Sequence, residues 1–338
     1  MINKAWFVAL AFMLAGYAVL DGFDLGLGTI HLLLGRDRTE RARLIDSIGP
    51  VWNGNEVWLL AAGGSMVVAF PTLYAASFSG FYLALMLVLW LLLLRGLGIE
   101  FRHQIHHPMW EDAWDVVFCG ASALLALLFG VALGNVLHGV PFDADGTFQG
   151  SFSVLLNPFS LLGGLMSVVT LALHGACWAA LRTDGALQER ARWFAAALWA
   201  VAAFALLGMI AASFIVRPDF TRNFTTYRSL WIWPAITVGA FAANRLAMAR
   251  RNDRAAFLAS AAYIAGILAS TAAGLYPMLL PARDGSAFPG LDIYNAAAPA
   301  GSMRIALVIY LIGLSIVAVY LYNTVRIWKG KSGPAYRP

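Results

Sequence analysis

The sequence of 338 residues carries little charge, because Asp, Glu, Lys and Arg together make up 12% of it. Soluble domains contain about 25% charged residues. Hydrophobic residues make up 60%, and the formal net charge of +5 is spread over short loops between apolar runs. The composition therefore excludes a soluble domain and argues against nucleic acid as a partner. It indicates an integral membrane protein.

Cysteine is also scarce, and the two residues present, Cys119 and Cys177, both lie within apolar runs. Neither belongs to a CxxC or CxxCH motif, so we expect no disulfide, zinc site or covalently attached haem. The first apolar run follows Lys4 and has no small-residue cleavage site before Arg36. It therefore reads as a retained first helix.

Apolar runs of about 20 residues, the length that crosses a bilayer, recur along the chain. They predict a single all-α membrane domain over residues 1–338 with about nine transmembrane helices. The second and third runs are divided by Pro71 and Thr72, where we expect a tight turn between two antiparallel helices. The predicted spans are Trp6–Leu34, Trp52–Phe70, Tyr74–Leu94, Trp114–Leu137, Val154–Leu181, Trp193–Val216, Leu230–Met248, Ala255–Leu280 and Met303–Trp328.

The basic residues predict the orientation. Most of the 23 Lys and Arg residues fall in alternate loops and in the C-terminal stretch with Arg326, Lys329, Lys331 and Arg337. Since positive residues favour the cytoplasmic side, we expect the N-terminus outside and the C-terminus inside, which requires an odd number of spans.

A weak repeat indicates two halves. Glu40–Arg43 (ERAR) in the first inner loop recurs as Glu189–Arg192 (ERAR) four helices later. We therefore expect two four-helix bundles, at residues 1–138 and 154–280, with a peripheral ninth helix at residues 303–328.

Two stretches place polar residues within predicted helices. Asp21 and Asp24 lie three residues apart in DGFDLGLG, and Asn53 and Glu56 are spaced alike in GPVWNGNEVW. Residues three apart share a helix face, and polar groups at membrane depth are costly. Each pair therefore either fixes helix packing by hydrogen bonds or serves a proton path, in which Glu56 is the titratable member of the second stretch.

Other residues are candidates for structure or an interface. Trp52 and Trp58 flank the second polar stretch, while Arg95 and Arg102 flank Glu100 and predict an ion-pair network. His174 lies well inside a span. We expect it to form a hydrogen bond between helices, and haem ligation is the alternative.

Six blocks of sequence resemble subunit II of the cytochrome bd quinol oxidase family. They keep the family's spacing over the first half of the chain, whereas the part after the sixth span has no distinctive motif. The blocks are Asp21–Gly28, Gly49–Trp58, Phe70–Tyr82, Leu93–Arg102, Gly130–Asp143 and Leu155–Leu165.

The resemblance implies a non-haem subunit, needed for assembly, of a complex in the bacterial cytoplasmic membrane. It places two haems b, one haem d and the quinol site in a partner, subunit I, and no cofactor in this chain. The complex reduces oxygen to water with protons from the inside. The resemblance leaves room for a structural quinone, bound lipid and a small single-helix accessory subunit.

One departure from the family affects the proton path. Asp21 and Asp24 match both acidic residues of the family's DGFD motif, but Asn53 stands where the family has an Asp proposed to conduct protons. An Asn does not titrate. Either Glu56 replaces that residue, or subunit I provides the route alone.

Two other functions compete with this one. A proton-coupled secondary transporter would use Asp21, Asp24 and Glu56 as its coupling site, and would show helices broken at matching points of its two halves. A self-sufficient haem protein would use His174.

Overall fold

The structure is a computed structural model, and it describes residues 1–327 and 330–331. Trp328, Lys329 and Arg337, which belong to the predicted ninth span and the basic C-terminal stretch, lie outside the described residues. The helices are α1 (Ile2–Leu34), α2 (Arg38–Ile48), α3 (Trp52–Ala69), α4 (Pro71–Gly80), α5 (Tyr82–Phe101), α6 (Pro108–His138), α7 (Phe152–Leu155), α8 (Pro158–Arg182), α9 (Gly185–Val216), α10 (Arg222–Thr226), α11 (Ile232–Ala249), α12 (Asp253–Leu275) and α13 (Ala300–Ile327). Two short strands, β1 (Met278–Pro281) and β2 (Gly290–Asp292), pair antiparallel.

The prediction of an all-α, multi-pass membrane protein is confirmed. Within the described part of the chain, seven helices are long and apolar enough to span a bilayer: α1, α5, α6, α8, α9, α12 and residues Ala300–Thr324 of α13. α3 and α11 have 18 residues each and do not belong to this set. The count of nine spans and the orientation therefore stay predictions.

Proline accounts for three departures from the predicted spans. Pro71 opens α4 instead of forming a turn, since proline suits the first position of a helix; the chain breaks at Phe70 and again at Phe81. The span predicted over Val154–Leu181 is interrupted before Pro158, where α8 begins. The last turn of Ala255–Leu280 is not helical, because Pro277 cannot continue α12 and the chain enters β1.

α1 and α8 cross at the centre of the molecule with their backbones in contact. A Cβ atom added at Gly26 would lie 1.7 Å from the carbonyl oxygen of Leu171, and one added at Gly175 would lie 2.1 Å from the backbone nitrogen of Leu27. Only glycine fits at these two positions. These two glycines therefore allow α1 and α8 to pack closely.

The helices on either side of this crossing pack in the same order. α1 packs against α3 and α6, and α6 against α5; α8 packs against α9 and α12, and α12 against α11. α6 also contacts α8, as α12 contacts α1. α13 lies outside, against α1 and α3.

Ion pairs join the loops at one end of the molecule. Arg190 pairs with Glu40, and the Arg43 Nη2 atom lies 2.7 Å from Asp184 Oδ1. The hydrogen bond from Arg43 lowers the pKa of Asp184. The two ERAR segments, predicted in loops, lie in α2 and at the start of α9, and these ion pairs bring them together at the end where α1 and α8 both finish.

Candidate functional site

The candidate site is built around a buried arginine. Arg95, six residues before the end of α5, has no exposed side-chain surface, and its Nη1 donates to Asp21 Oδ1 at 2.7 Å. Its Nη2 donates to Glu56 Oε1 at 3.1 Å. A charge at this depth is costly unless it is paired, and Arg95 can hold two carboxylates at once.

Asp24 occupies the next turn of α1 and receives a different partner. Its Oδ2 accepts a hydrogen bond from Asn55 Nδ2 at 2.8 Å, and both side chains are buried. Asp21, Asp24, Asn55, Glu56 and Arg95 form one group, the Arg95 cluster. It joins α1, α3 and α5 inside the protein.

The Arg95 cluster retains unused hydrogen-bonding capacity. Asp21 Oδ2, Asp24 Oδ1 and Arg95 Nε are buried with no hydrogen-bond partner among the described residues. The same holds for the hydroxyl of Tyr17, one turn before Asp21 on α1. Buried polar groups are normally satisfied, so these atoms are suited to binding water or a moving proton.

Glu56 is the member of the Arg95 cluster that reaches the protein surface. Its side chain keeps 24% of its area exposed, while the Asp21 and Arg95 side chains keep none. Asn53 lies on the exposed side of α3, and it is Asn55 that faces inward. Asn53 and Glu56 therefore do not line a common buried stripe, contrary to the expectation from their spacing.

The two tryptophans flanking this stretch are packed within the chain. Trp52 is 8% exposed, and a Cβ added at Gly96 would lie 3.3 Å from its ring. Trp58 is 7% exposed and covers Gly16 of α1 in the same way. Both hold α3 against its neighbours.

The predicted ion-pair network around Glu100 is wrong. Glu100 is exposed at the end of α5 and has no ion-pair partner among residues 1–327 and 330–331. Arg95 turns toward Asp21, and Arg102 binds Asp115 with Nε at 2.7 Å from Oδ1. Arg95 and Arg102 are seven residues apart, so both project from one helix face, inward, and Glu100 does not.

Sequence reasoning missed the partners of Arg102. His31 Nε2 lies 2.9 Å from Asp115 Oδ1, and His31, Arg102 and Asp115 are all buried. We name these three the His31 cluster. The available signal was the position of His31, seven residues beyond Asp24 and hence on the same face of α1.

A scan of family models supplies the family. The model described as "Cytochrome bd terminal oxidase subunit II" matches residues 2–328, nearly the whole chain. The chain belongs to this family.

Curated relatives and a solved structure agree with this assignment. The chain is 37% identical over 308 residues to "Cytochrome bd-I ubiquinol oxidase subunit 2" of Escherichia coli K12, covering 82% of this chain and 81% of the relative. It is 31% identical over 328 residues to "Cytochrome bd ubiquinol oxidase subunit 2" of Bacillus subtilis, covering 95% and 96%. The bd oxidase structure from Geobacillus thermodenitrificans matches with a TM-score of 0.80 at 19% identity, over 97% of this chain and 98% of that one, which shows a shared fold.

His174, which was considered as a haem ligand, forms hydrogen bonds within the chain instead. His174 Nε2 lies 3.0 Å from the Val19 carbonyl oxygen and Nδ1 lies 2.7 Å from Ser260 Oγ. Nε2 therefore donates, and Nδ1 accepts from the hydroxyl. The ring also stacks on Phe257. Neither nitrogen is free to bind iron, so His174 does not fit a haem, and the described residues hold no group of three metal-binding side chains.

Proposed function

We propose that this chain is the non-haem subunit II of a cytochrome bd-type quinol oxidase in the bacterial cytoplasmic membrane. Its family membership and its match to relatives named ubiquinol oxidase subunits support the proposal. The complex oxidises two quinols and passes four electrons and four protons to oxygen, which yields two waters. The haems, two of type b and one of type d, and the quinol site belong to subunit I.

The observation that carries a role beyond assembly is the Arg95 cluster. It contains three carboxyl groups and one guanidinium, so its formal charge is −2 when every carboxyl group is ionised. An uncompensated negative charge at membrane depth is costly, and bound protons remove it. The cluster is therefore a place where protons are held within the membrane.

The exposed fractions of the side chains in the Arg95 cluster give the proton path a direction. Protons enter at Glu56, which touches both the surface and Arg95, and continue toward Asp21 and Asp24. This assigns to Glu56 the task that the family Asp would perform at Asn53. Where no direct hydrogen bond links two of these groups, water bound to the unpartnered carboxylate oxygens connects them.

The chain acts as one membrane domain with two halves, at residues 1–138 and 154–280, and with α13 as a peripheral helix. The repeated packing order around the α1–α8 crossing supports this division. We place the N-terminus outside and the C-terminus inside on the distribution of basic residues. Cluster entry at Glu56 then faces the cytoplasm. Lipid, a structural quinone and a single-helix accessory subunit are further partners compatible with the exposed apolar surface.

Purification in mild detergent tests the proposal. We expect the tagged chain to co-purify with a larger haem-bearing membrane protein, and the complex to take up oxygen when quinol is added. A chain that runs stably alone, is colourless and moves a solute across vesicles would reject the oxidase role in favour of a proton-coupled transporter.

A further inference from the structure

The His31 cluster lies closer than the Arg95 cluster to the end of α1 where the two ERAR segments meet, and the proton path from Glu56 does not use it. Asp115 accepts from Arg102 and lies 2.9 Å from His31 Nε2, with both side chains of the His–Asp pair fully buried. These residues come from α1, α5 and α6. The cluster therefore sits where three helices of the first half converge.

The His31 cluster is connected to the protein surface. Arg41 Nη1 lies 3.6 Å from Asp115 Oδ2 and 3.4 Å from Asp112 Oδ1. The Asp112 side chain is 45% exposed. A chain of charged groups thus runs from the exposed Asp112 to His31 through three contacts, Asp112–Arg41, Arg41–Asp115 and Asp115–His31.

A serine stands between His31 and the Arg95 cluster. Ser122 of α6 is buried, and its Oγ packs so closely on Gly28 that a Cβ there would lie 2.1 Å from it. Asp24, Gly28 and His31 are four and three residues apart, which places all three on one face of α1. The hydroxyl therefore lies on the line from the histidine to the carboxylate.

Each member of this line carries a free buried polar atom. His31 Nδ1, Ser122 Oγ and Asp24 Oδ1 have no hydrogen-bond partner among the described residues. On a rise of 1.5 Å per residue, the level of Ser122 lies about 4.5 Å from His31 and about 6 Å from Asp24 along the helix axis. Such separations suit polar groups joined by single water molecules.

We propose that His31 and Ser122 relay protons from Asp115 to Asp24, and so form a second inlet to the buried carboxylates. The inference rests on the proposed function of the Arg95 cluster. Imidazole accepts a proton on one nitrogen and releases one from the other, while the hydroxyl accepts one proton as it donates another. Only N–H and O–H bonds form and break, so each group keeps its number of protons. Rotation of the imidazole and of the hydroxyl then restores the starting tautomer and donor direction.

The charged groups around His31 are few. The groups that face it are Asp115, Arg102 and Arg41, of which the two arginines bind the carboxylate. The alternative is a purely structural role, in which the His31–Asp115 bond pins α1 to α6. The two roles differ in what a glutamine does at position 31, since its amide can donate to Asp115 but cannot carry a proton.

The test uses the detergent-purified two-subunit complex and quinol-dependent oxygen uptake per haem across a pH series. Wild-type uptake in the same assay tests the proposed function separately. We expect His31→Gln to keep the haem spectrum and to lose about tenfold in turnover at alkaline pH, with a smaller loss at acidic pH, where Glu56 supplies enough protons. Ser122→Ala should show the same trend more weakly, with a larger solvent deuterium isotope effect than wild type.

His174→Gln is the matched control, because it replaces a buried histidine of the second half, and its turnover and pH profile should equal those of wild type. If His31→Gln assembles with wild-type turnover and pH profile, the relay is rejected, and the role of His31 is to hold α1 against α6. If His31→Gln fails to assemble, Ser122→Ala decides: a lowered, pH-dependent turnover supports the relay, and wild-type behaviour rejects it.

Discussion

Residues 1–138 and 154–280 pack their helices in the same order but fill their interiors differently. Among the described residues, the fully buried charged side chains Asp21, Asp24, Arg95 and Asp115 all belong to the first region. The buried polar side chains of the second region are uncharged; they are Ser160, Thr170, His174, Thr183, Thr237, Asn244, Ser260 and Thr271.

The difference indicates what the charges are for. The second region holds its helices with neutral hydrogen bonds, such as Asn244 Nδ2 to the Ala256 carbonyl oxygen at 2.7 Å. Since this packing order needs no buried charge, stability alone does not explain four charged side chains in the first region. Buried ion pairs are weak stabilisers. The proposed role in moving protons accounts for them.

The largest expected effect concerns the crossing that joins the two regions. Gly26→Ala forces a methyl group against the Leu171 carbonyl oxygen, and because the clash is with backbone, side-chain repacking does not relieve it. α1 must move away from α8, so the crossing itself is lost, at a cost above the ~1–3 kcal/mol of ordinary overpacking. We expect little haem-bearing complex to be recovered. Gly208→Ala is the control, because nothing lies within 4 Å of its added Cβ, and it should assemble normally. Equal yields from the two variants would contradict the close crossing.

The next effect compares the loss of a buried ion pair with the loss of buried neutral hydrogen bonds. Arg95→Gln leaves Asp21 buried without its cation, which costs about 3–5 kcal/mol. Asn244→Ala breaks only neutral hydrogen bonds, to the Ala256 carbonyl oxygen and to Cys177 Sγ, at about 1–3 kcal/mol. We expect a lower melting temperature of the complex for Arg95→Gln than for Asn244→Ala. Adding Asp21→Asn to Arg95→Gln should recover part of the loss. An Arg95→Gln complex as stable as wild type would remove the ion pair from the account.

A smaller effect concerns turnover in the first region. Glu56→Gln keeps an acceptor for Arg95 but cannot titrate, so we expect oxygen uptake to fall about three- to tenfold with assembly intact. Asn53→Asp is the matched change on the exposed side of the same helix, and it should be tolerated. Unchanged turnover in Glu56→Gln would reject Glu56 as the proton inlet.

The smallest expected effect is in the second region. His174→Ala removes the bonds to Ser260 and the Val19 carbonyl oxygen, at about 1–3 kcal/mol of stability. The haem spectrum of the complex should stay unchanged, because neither ring nitrogen is available to iron. A lost haem band would overturn this conclusion.

The sequence predicted much of this arrangement. Hydropathy located the long helices, and Asp21, Asp24 and Glu56 each stood out as polar residues in apolar runs, whereas Arg95 comes directly after the predicted span Tyr74–Leu94. The sequence did not predict the pairing of Arg95 with Asp21, because 74 residues separate them and the packing of α5 decides which of its faces points inward.

The errors have the same origin. Asn53 and Asn55 lie about 200° apart around a helix, and spacing alone does not say which of them faces the interior. His31 and Asp115 are separated by 84 residues, and each looks isolated in its own helix. Only the contact between α1 and α6 brings them together.

The most direct test of a proton role for the first region is proton uptake during a single turnover. The fully reduced complex is mixed with oxygen, and a pH indicator follows protons leaving solution while absorbance follows haem oxidation. For Glu56→Gln, we predict slower proton uptake than in wild type with haem content unchanged. Proton uptake as fast as in wild type would contradict the account.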